Sequence, residues 1–245
     1  MVMDGVRQHL DLNPSRIRQW ADRKTGIGFD QCLVILPTTS PDADFDYRIF
    51  NPDGSEAGQC GNGARCVALW IQREGLSQAS TLRLKTRDRV LTCIVQDDRN
   101  VTVDMGVPEW LPEEPCTTTY HAVSMGNPHA VIRVESLEDF PLEQVATQIR
   151  QQKNFPDGVN VGAMQILSPT EIRLRVNERG AGETAACGSG ACAAMVVGRQ
   201  FFQLSSKVTV HLTGGPLSIE WSGKPNAGVW MTGPGETVYQ GQLTP

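Results

Sequence analysis

One short pattern occurs twice, half a chain apart: Cys60-Gly61-Asn62-Gly63-Ala64 and Cys187-Gly188-Ser189-Gly190-Ala191. Glu56 and Glu183 stand four residues ahead of their respective cysteines, and second cysteines follow at Cys66 and Cys192. Each copy then runs into apolar residues, Val67, Ala68 and Ile71 in one and Ala193, Ala194, Val196 and Val197 in the other. Self-similarity on this scale predicts two related halves, each built around its own copy.

The patterning around the copies is that of an α+β fold, rich in strands, with the longest helix signal of each half directly after its cysteine-glycine motif. Asn13-Pro14 predicts a capped helix with Ile17, Trp20 and Ala21 on one face. Phe45, Tyr47 and Ile49 alternate with Asp46 and Arg48, as in a half-buried strand. The helix after Cys60 should stop near Gly75, with strands around Leu82 and Leu84, over Val90–Val95 and over Val101–Met105. Pro108–Thr119, rich in proline, glutamate and threonine, predicts the connection between an N-terminal half, 1–110, and a C-terminal half, 111–233. Beyond it, Ala130–Val134 reads as extended, Pro141 opens a helix, and Ile172, Leu174 and Val176 alternate before Glu178. Val208–Tyr239 reads as antiparallel strands punctuated by glycines.

Composition narrows the function. With 40% hydrophobic and 20% charged residues, the chain has the profile of a globular protein able to bury a core. Its 22 basic and 27 acidic residues form no basic stripe, so no nucleic-acid partner is expected. No apolar run approaches the roughly 18 residues of a spanning helix, and Met1–Trp20 is too polar for a signal peptide. A cytoplasmic protein acting on a small polar substrate, with no membrane partner, is the expectation. Seven cysteines, an odd number in a chain of ordinary size, point to reduced thiols, with Cys32 and Cys93 as small hydrophobes in strands.

The motif chemistry is thiol acid-base work. Glycines let the backbone approach a ligand closely, and the first amides of a helix point unpaired at whatever sits there. A cysteine at such a helix start has its thiolate favoured, which pulls its pKa from about 8.5 toward neutrality. Two of them, one per half, predict a thiolate and a thiol offered to opposite faces of one carbon. That suits inversion of an amino-acid α-carbon, with the helix amides stabilising the carboxylate as charge develops. Such a reaction requires no cofactor.

Other readings fit less well. Structural zinc needs closer cysteine spacing than Cys60 with Cys66 or Cys187 with Cys192, together with well-placed histidines, so no metal is expected. Gly188-Ser189-Gly190-Ala191-Cys192-Ala193 matches a dinucleotide fingerprint loosely, but has no acidic ribose partner about 20 residues on. A Cys-His hydrolase using His129 leaves the second motif unexplained.

Asn51-Pro52-Asp53-Gly54-Ser55-Glu56 followed by Gln59-Cys60-Gly61-Asn62-Gly63-Ala64-Arg65-Cys66 resembles the first signature of the diaminopimelate epimerase family. Glu178-Arg179-Gly180-Ala181-Gly182-Glu183-Thr184 with Ala186-Cys187-Gly188-Ser189-Gly190 is similar to the second, and Gly126-Asn127-Pro128-His129 and Gly28-Phe29-Asp30-Gln31 also fit. The resemblance runs from near Met1 to the end. It implies interconversion of LL- and meso-2,6-diaminopimelate without pyridoxal phosphate or metal, with Cys60 and Cys187 as the acid-base pair. It places Gln31, Asn51, Gly61, Asn62, Asn127, Asn160, Glu178, Arg179, Gly188 and Ser189 at substrate-contact positions, and gives His129 and Glu178 the tuning of thiol protonation. It further implies two pseudo-repeated halves, each a mostly antiparallel sheet curled around a central helix, with a C-terminal strand, 234–245, returning to the first half, and a homodimer.

The family opens with a strand and a Gly-Leu-Gly-Asn-Asp-Phe segment whose asparagine binds substrate. Met1-Val2-Met3-Asp4 begins after it, so against the family pattern either the start codon is misplaced or the first half has lost one strand and one binding group. The stretch between Trp110 and His121 is also shorter than the pattern. Proline racemase-like enzymes are the nearest alternative, but they carry histidine after the cysteine-glycine step, where this chain has Asn62 and Ser189. A thiol binding protein without catalysis is the alternative of a different class.

Overall fold

The computed structural model describes residues 1–243. They fall into two compact units, Met1–Val103 with the chain from Gly233 onward, and Asp104–Thr232. In the first unit β1 (Val2–Asp4) leads through α1 (Pro14–Ala21) to β2 (Cys32–Leu36), β3 (Phe45–Phe50) and the short β4 (Glu56–Ala57). Then come α2 (Gly61–Arg73), β5 (Thr81–Lys85), β6 (Val90–Val95) and β7 (Asn100–Asp104). The strands lie in the order β1-β2-β3-β5-β6-β7, with β4 on β3. Asn13 starts α1 by accepting the Arg16 amide at 2.9 Å, and Pro14 supplies the first-turn φ. α2 buries Ala64, Val67, Ala68 and Ile71 and packs against β1, β2 and β6.

In the second unit β8 (Glu109–Trp110), β9 (His121–Ser124) and β10 (Pro128–Val134) precede α3 (Leu142–Arg150). β11 (Asn160–Ser168), β12 (Glu171–Glu178), β13 (Gly182–Thr184) and α4 (Gly188–Phe202) follow, then β14 (Lys207–Leu212), β15 (Gly215–Glu220) and β16 (Trp230–Pro234). Their order is β8-β9-β10-β11-β12-β14-β15-β16, with β13 on β12. Every residue of α4 from Gly190 to Gly198 is buried. A helix without a polar stripe must be surrounded, and α4 packs against β9, β10, β11, β12, β14 and β15. α3 covers β11 and β12, joining Leu142, Ala146 and Ile149 to Ile132, Phe155 and Val161.

The element order from β1 to β7 is repeated from β10 to β16. Each unit holds two parallel strand pairs, β1 with β2 and β3 with β5, then β10 with β11 and β12 with β14. In sequence a helix lies between the partners of each pair, because a parallel connection needs a crossover long enough to return the chain to the same end. The other pairings within each unit are antiparallel, so the strands of each unit are mixed but mostly antiparallel, as the resemblance implies.

Two local readings are corrected. Pro108–Thr119 lies within the second unit, where Glu109 and Trp110 pair with Ser124 and Val123. β16 ends at Pro234, and Gly235–Tyr239 forms no strand: Gly235 donates to the Arg99 carbonyl at 2.9 Å, while Val238 and Tyr239 are 89% and 67% exposed. Cys32 and Cys93 are fully buried, as is Cys192, whereas Cys66 is half-buried. Among the described residues no helix is long and apolar enough to cross a membrane.

Candidate active site

Cys60 is the N-cap of α2, with an extended backbone (φ −151°, ψ 103°), and its Sγ accepts the Gly63 amide at 3.2 Å. The sulfur thus stands where a serine or aspartate oxygen ordinarily caps a helix, beside the positive end of the helix dipole. Burial raises the Cys60 thiol, and the Gly63 amide and the Arg65 cation pull it back. Arg65 is a buried cation, whose Nη1 donates to Asn62 Oδ1 at 2.8 Å and whose Nε donates to the Pro234 carbonyl at 3.2 Å. It therefore fixes the Asn62 side chain, one of the expected substrate contacts. Asn51 and Gln31 lie side by side, with Gln31 Nε2 at 3.5 Å from Asn51 Oδ1, and Asn51 Nδ2 donates to Ser55 Oγ at 3.0 Å. Gly61 is the first residue of α2.

Cys187 caps α4 in the same way (φ −112°, ψ 105°), and its Sγ accepts the Gly190 amide at 3.3 Å. Ser189 Oγ lies 3.7 Å from the sulfur and 3.0 Å from His129 Nε2, which is itself 3.2 Å from Asn127 Oδ1. His129 consequently reaches the thiol through one hydroxyl rather than directly. Glu178, at the end of β12, accepts the Thr184 hydroxyl. Burial, reinforced by the Glu178 charge, pushes the Cys187 thiol up to about 12. On β11, Asn160 is buried and its Oδ1 accepts the Arg179 amide at 2.8 Å, while Arg179 Nη1 donates to the Asp157 carbonyl at 2.6 Å. Gly188 is the buried first residue of α4.

The two copies share the cap and differ in what surrounds it. Where the first has Arg65, the second has Cys192, so a cation supports one sulfur and a carboxylate opposes deprotonation of the other. Arg65 and Thr184 were not singled out from the sequence, although Arg65 sits inside the motif and the exchange for Cys192 was visible there. Among the described residues no cluster of three or more His, Cys, Asp or Glu is arranged to hold a metal ion.

His129, 1% exposed, has its pKa lowered by burial to about 3, so its imidazole is neutral at any pH near 7. Its unfolded-state value is about 6.5. As pH falls through that value the unfolded chain gains a proton that the folded protein refuses, and stability is lost progressively down to about pH 3. Urea midpoints measured between pH 7 and pH 4 should therefore fall, and His129→Asn should flatten that slope. An unchanged slope would mean that His129 is protonated in the folded state.

The family model for diaminopimelate epimerase matches residues 1–111 and 121–238. A diaminopimelate epimerase from Legionella pneumophila is 46% identical over 261 residues, covering 99% of this chain and 94% of the relative. One from Azotobacter vinelandii is 46% identical over 260 residues, with the same shares covered. Among solved structures, a hydroxyproline epimerase from Agrobacterium vitis superposes with a TM-score of 0.67 at 16% identity, covering 92% of this chain and 79% of that one, a likeness of fold. The unmatched residues 112–120 coincide with the short stretch ahead of β9. Matched along nearly its whole length by family and relatives alike, the chain belongs to the diaminopimelate epimerase family.

Proposed function

We propose that this protein is a cofactor-independent isomerase that interconverts LL- and meso-2,6-diaminopimelate by a two-cysteine proton-transfer mechanism. The observation that carries the reading is the duplicated cap: Cys60 and Cys187 each hold Sγ on the third amide of a helix, at 3.2 and 3.3 Å. One thiolate takes the α-proton, leaving a carbanion, and the other thiol gives a proton to the opposite face of the same carbon. The sulfurs exchange protonation states in each turnover, so either is the base, according to the hand of the substrate. Their titration belongs to the pair.

The remaining residues bind and orient. The N-terminal ends of α2 and α4 suit the proximal carboxylate, and the distal ammonium and carboxylate match the side chains of Asn51, Asn62, Asn127, Asn160, Glu178 and Arg179, together with Gln31, Gly61, Gly188 and Ser189. His129 and Glu178 tune Cys187, the first by holding Ser189 and the second by its charge. Membership of the family supports a role in lysine and peptidoglycan precursor synthesis, a cytoplasmic location and a homodimer.

The test is incubation of the reduced protein with LL-diaminopimelate in deuterated water. Solvent deuterium should appear at one α-carbon of the meso product. Folded, reduced protein that gives no exchange at all would overturn the reading.

A further inference from the structure

The repeat extends further upstream than the cysteine motif. Arg48 and Glu56 are eight residues apart, as are Arg175 and Glu183, and each glutamate precedes its cysteine by four. Each pair is a two-pronged ion pair: Arg48 Nε and Nη2 meet the Glu56 carboxylate at 2.9 Å each, and Arg175 Nε and Nη2 meet that of Glu183 at 2.7 and 2.8 Å. The arginines sit on β3 and β12, the glutamates on the short β4 and β13 that fold back against them. The two forks stand at the start of equivalent pieces of chain. From Glu56 to Cys60, and from Glu183 to Cys187, a three-residue tether runs to the helix cap.

Each tether also has a second hold. Arg87 Nη1 donates to the Glu56 carbonyl at 3.0 Å, from the turn between β5 and β6. The Gly214 amide donates to the Ala185 carbonyl at 2.7 Å, from the turn between β14 and β15. Arg175 Nη1 further donates to the carbonyls of Leu137 and Phe140 at 2.7 and 3.2 Å. The arginines hold both glutamates below the ordinary carboxylate range, so the forks stay charged throughout neutral pH.

We infer that the Arg48–Glu56 and Arg175–Glu183 forks are paired positioning devices, one per unit, that fix the tether ahead of each cysteine and so hold its sulfur on the helix amide. The inference rests on the two-thiol reading above. Magnitudes separate positioning from stability. The forks are partly exposed, with side chains 28–41% accessible, and exposed ion pairs add little to folding. Catalysis, by contrast, responds to displacement: a shift of about 1 Å costs on the order of 100-fold.

Glu56→Gln and Glu183→Gln keep size and shape but lose the charged fork. Each should lower kcat by roughly 10- to 100-fold with KM and thermal midpoint nearly unchanged. The Arg83–Asp44 pair is a matched control, since Arg83 Nη2 meets Asp44 Oδ1 at 2.9 Å with similar exposure and leads to no cysteine. Asp44→Asn should leave kcat at the wild-type value. Combining Arg175→Glu with Glu183→Arg should recover activity relative to either single reversal. Equal losses in the control, or no loss in the two glutamine variants, would overturn the inference.

A substrate-free measurement separates this inference from the functional reading. The midpoint pH for alkylation of Cys60 by iodoacetamide, resolved by peptide, should rise in Glu56→Gln and stay at the wild-type value in Glu183→Gln. An unmoved midpoint in Glu56→Gln sinks the positioning role. Wild-type protein that alkylates normally but exchanges no α-proton sinks the epimerase reading alone.

Discussion

Cys60→Ala and Cys187→Ala should each lower the rate of diaminopimelate epimerisation by about 10²- to 10⁴-fold, in both directions, as expected for removal of one proton-transfer group in the transition state. The two losses should be alike in size although the cysteines differ in surroundings. On the two-thiol reading each direction uses one thiolate and one thiol, so neither variant should retain a competent direction. Both proteins should remain folded, because losing an N-cap costs only about 1 kcal/mol and α2 and α4 are held chiefly by their buried faces. Chiral separation of the product, beside a thermal unfolding curve on the same sample, checks the point. A variant that keeps more than a tenth of wild-type conversion removes that cysteine from the acid-base pair.

The site was legible to the extent that its geometry is local. A cap places a side chain at one position on the amide three residues later, so Cys60 with Gly63 and Cys187 with Gly190 could be read from spacing alone. The alternation of Ile172, Leu174 and Val176 likewise marked β12, since every second residue of a half-buried strand faces the core. Partner choice was not legible. The parallel pairings of β3 with β5 and β12 with β14 join strands on either side of a helix, and nothing in either strand names its neighbour. Arg65 shows the same limit, since the carbonyl it reaches belongs to Pro234, 169 residues away. Val238 and Tyr239 misled in the opposite direction: apolar side chains near the end of a strand-like tail invite a strand, yet both are exposed and lie beyond the end of β16.

The glycines of the two caps should fail in different ways. A methyl group on Gly63 would lie 2.4 Å from Tyr47 Oη and 2.9 Å from Leu33 Cδ1. Tyr47 is fully buried and Leu33 is 5% exposed, so neither has room to withdraw. Gly63→Ala should therefore behave as overpacking, costing about 1–3 kcal/mol, or a drop in Tm of roughly 2–12 °C for a chain of this size. Activity falls with it, because the amide that holds the Cys60 sulfur moves as well. At Gly190 the nearest atoms are Cys187 Sγ and Val176 Cγ2, each at 3.1 Å, so a shift of a few tenths of an ångström relieves the contact. That shift is borne by the Cys187 sulfur itself, the atom to which the two-thiol reading gives the proton transfer. Gly190→Ala should accordingly lower kcat with a smaller fall in Tm than Gly63→Ala shows. Paired calorimetry and initial rates decide it: a Gly190→Ala protein with wild-type kcat would mean that the Cys187 sulfur tolerates displacement, and the cap geometry would then be incidental to proton transfer.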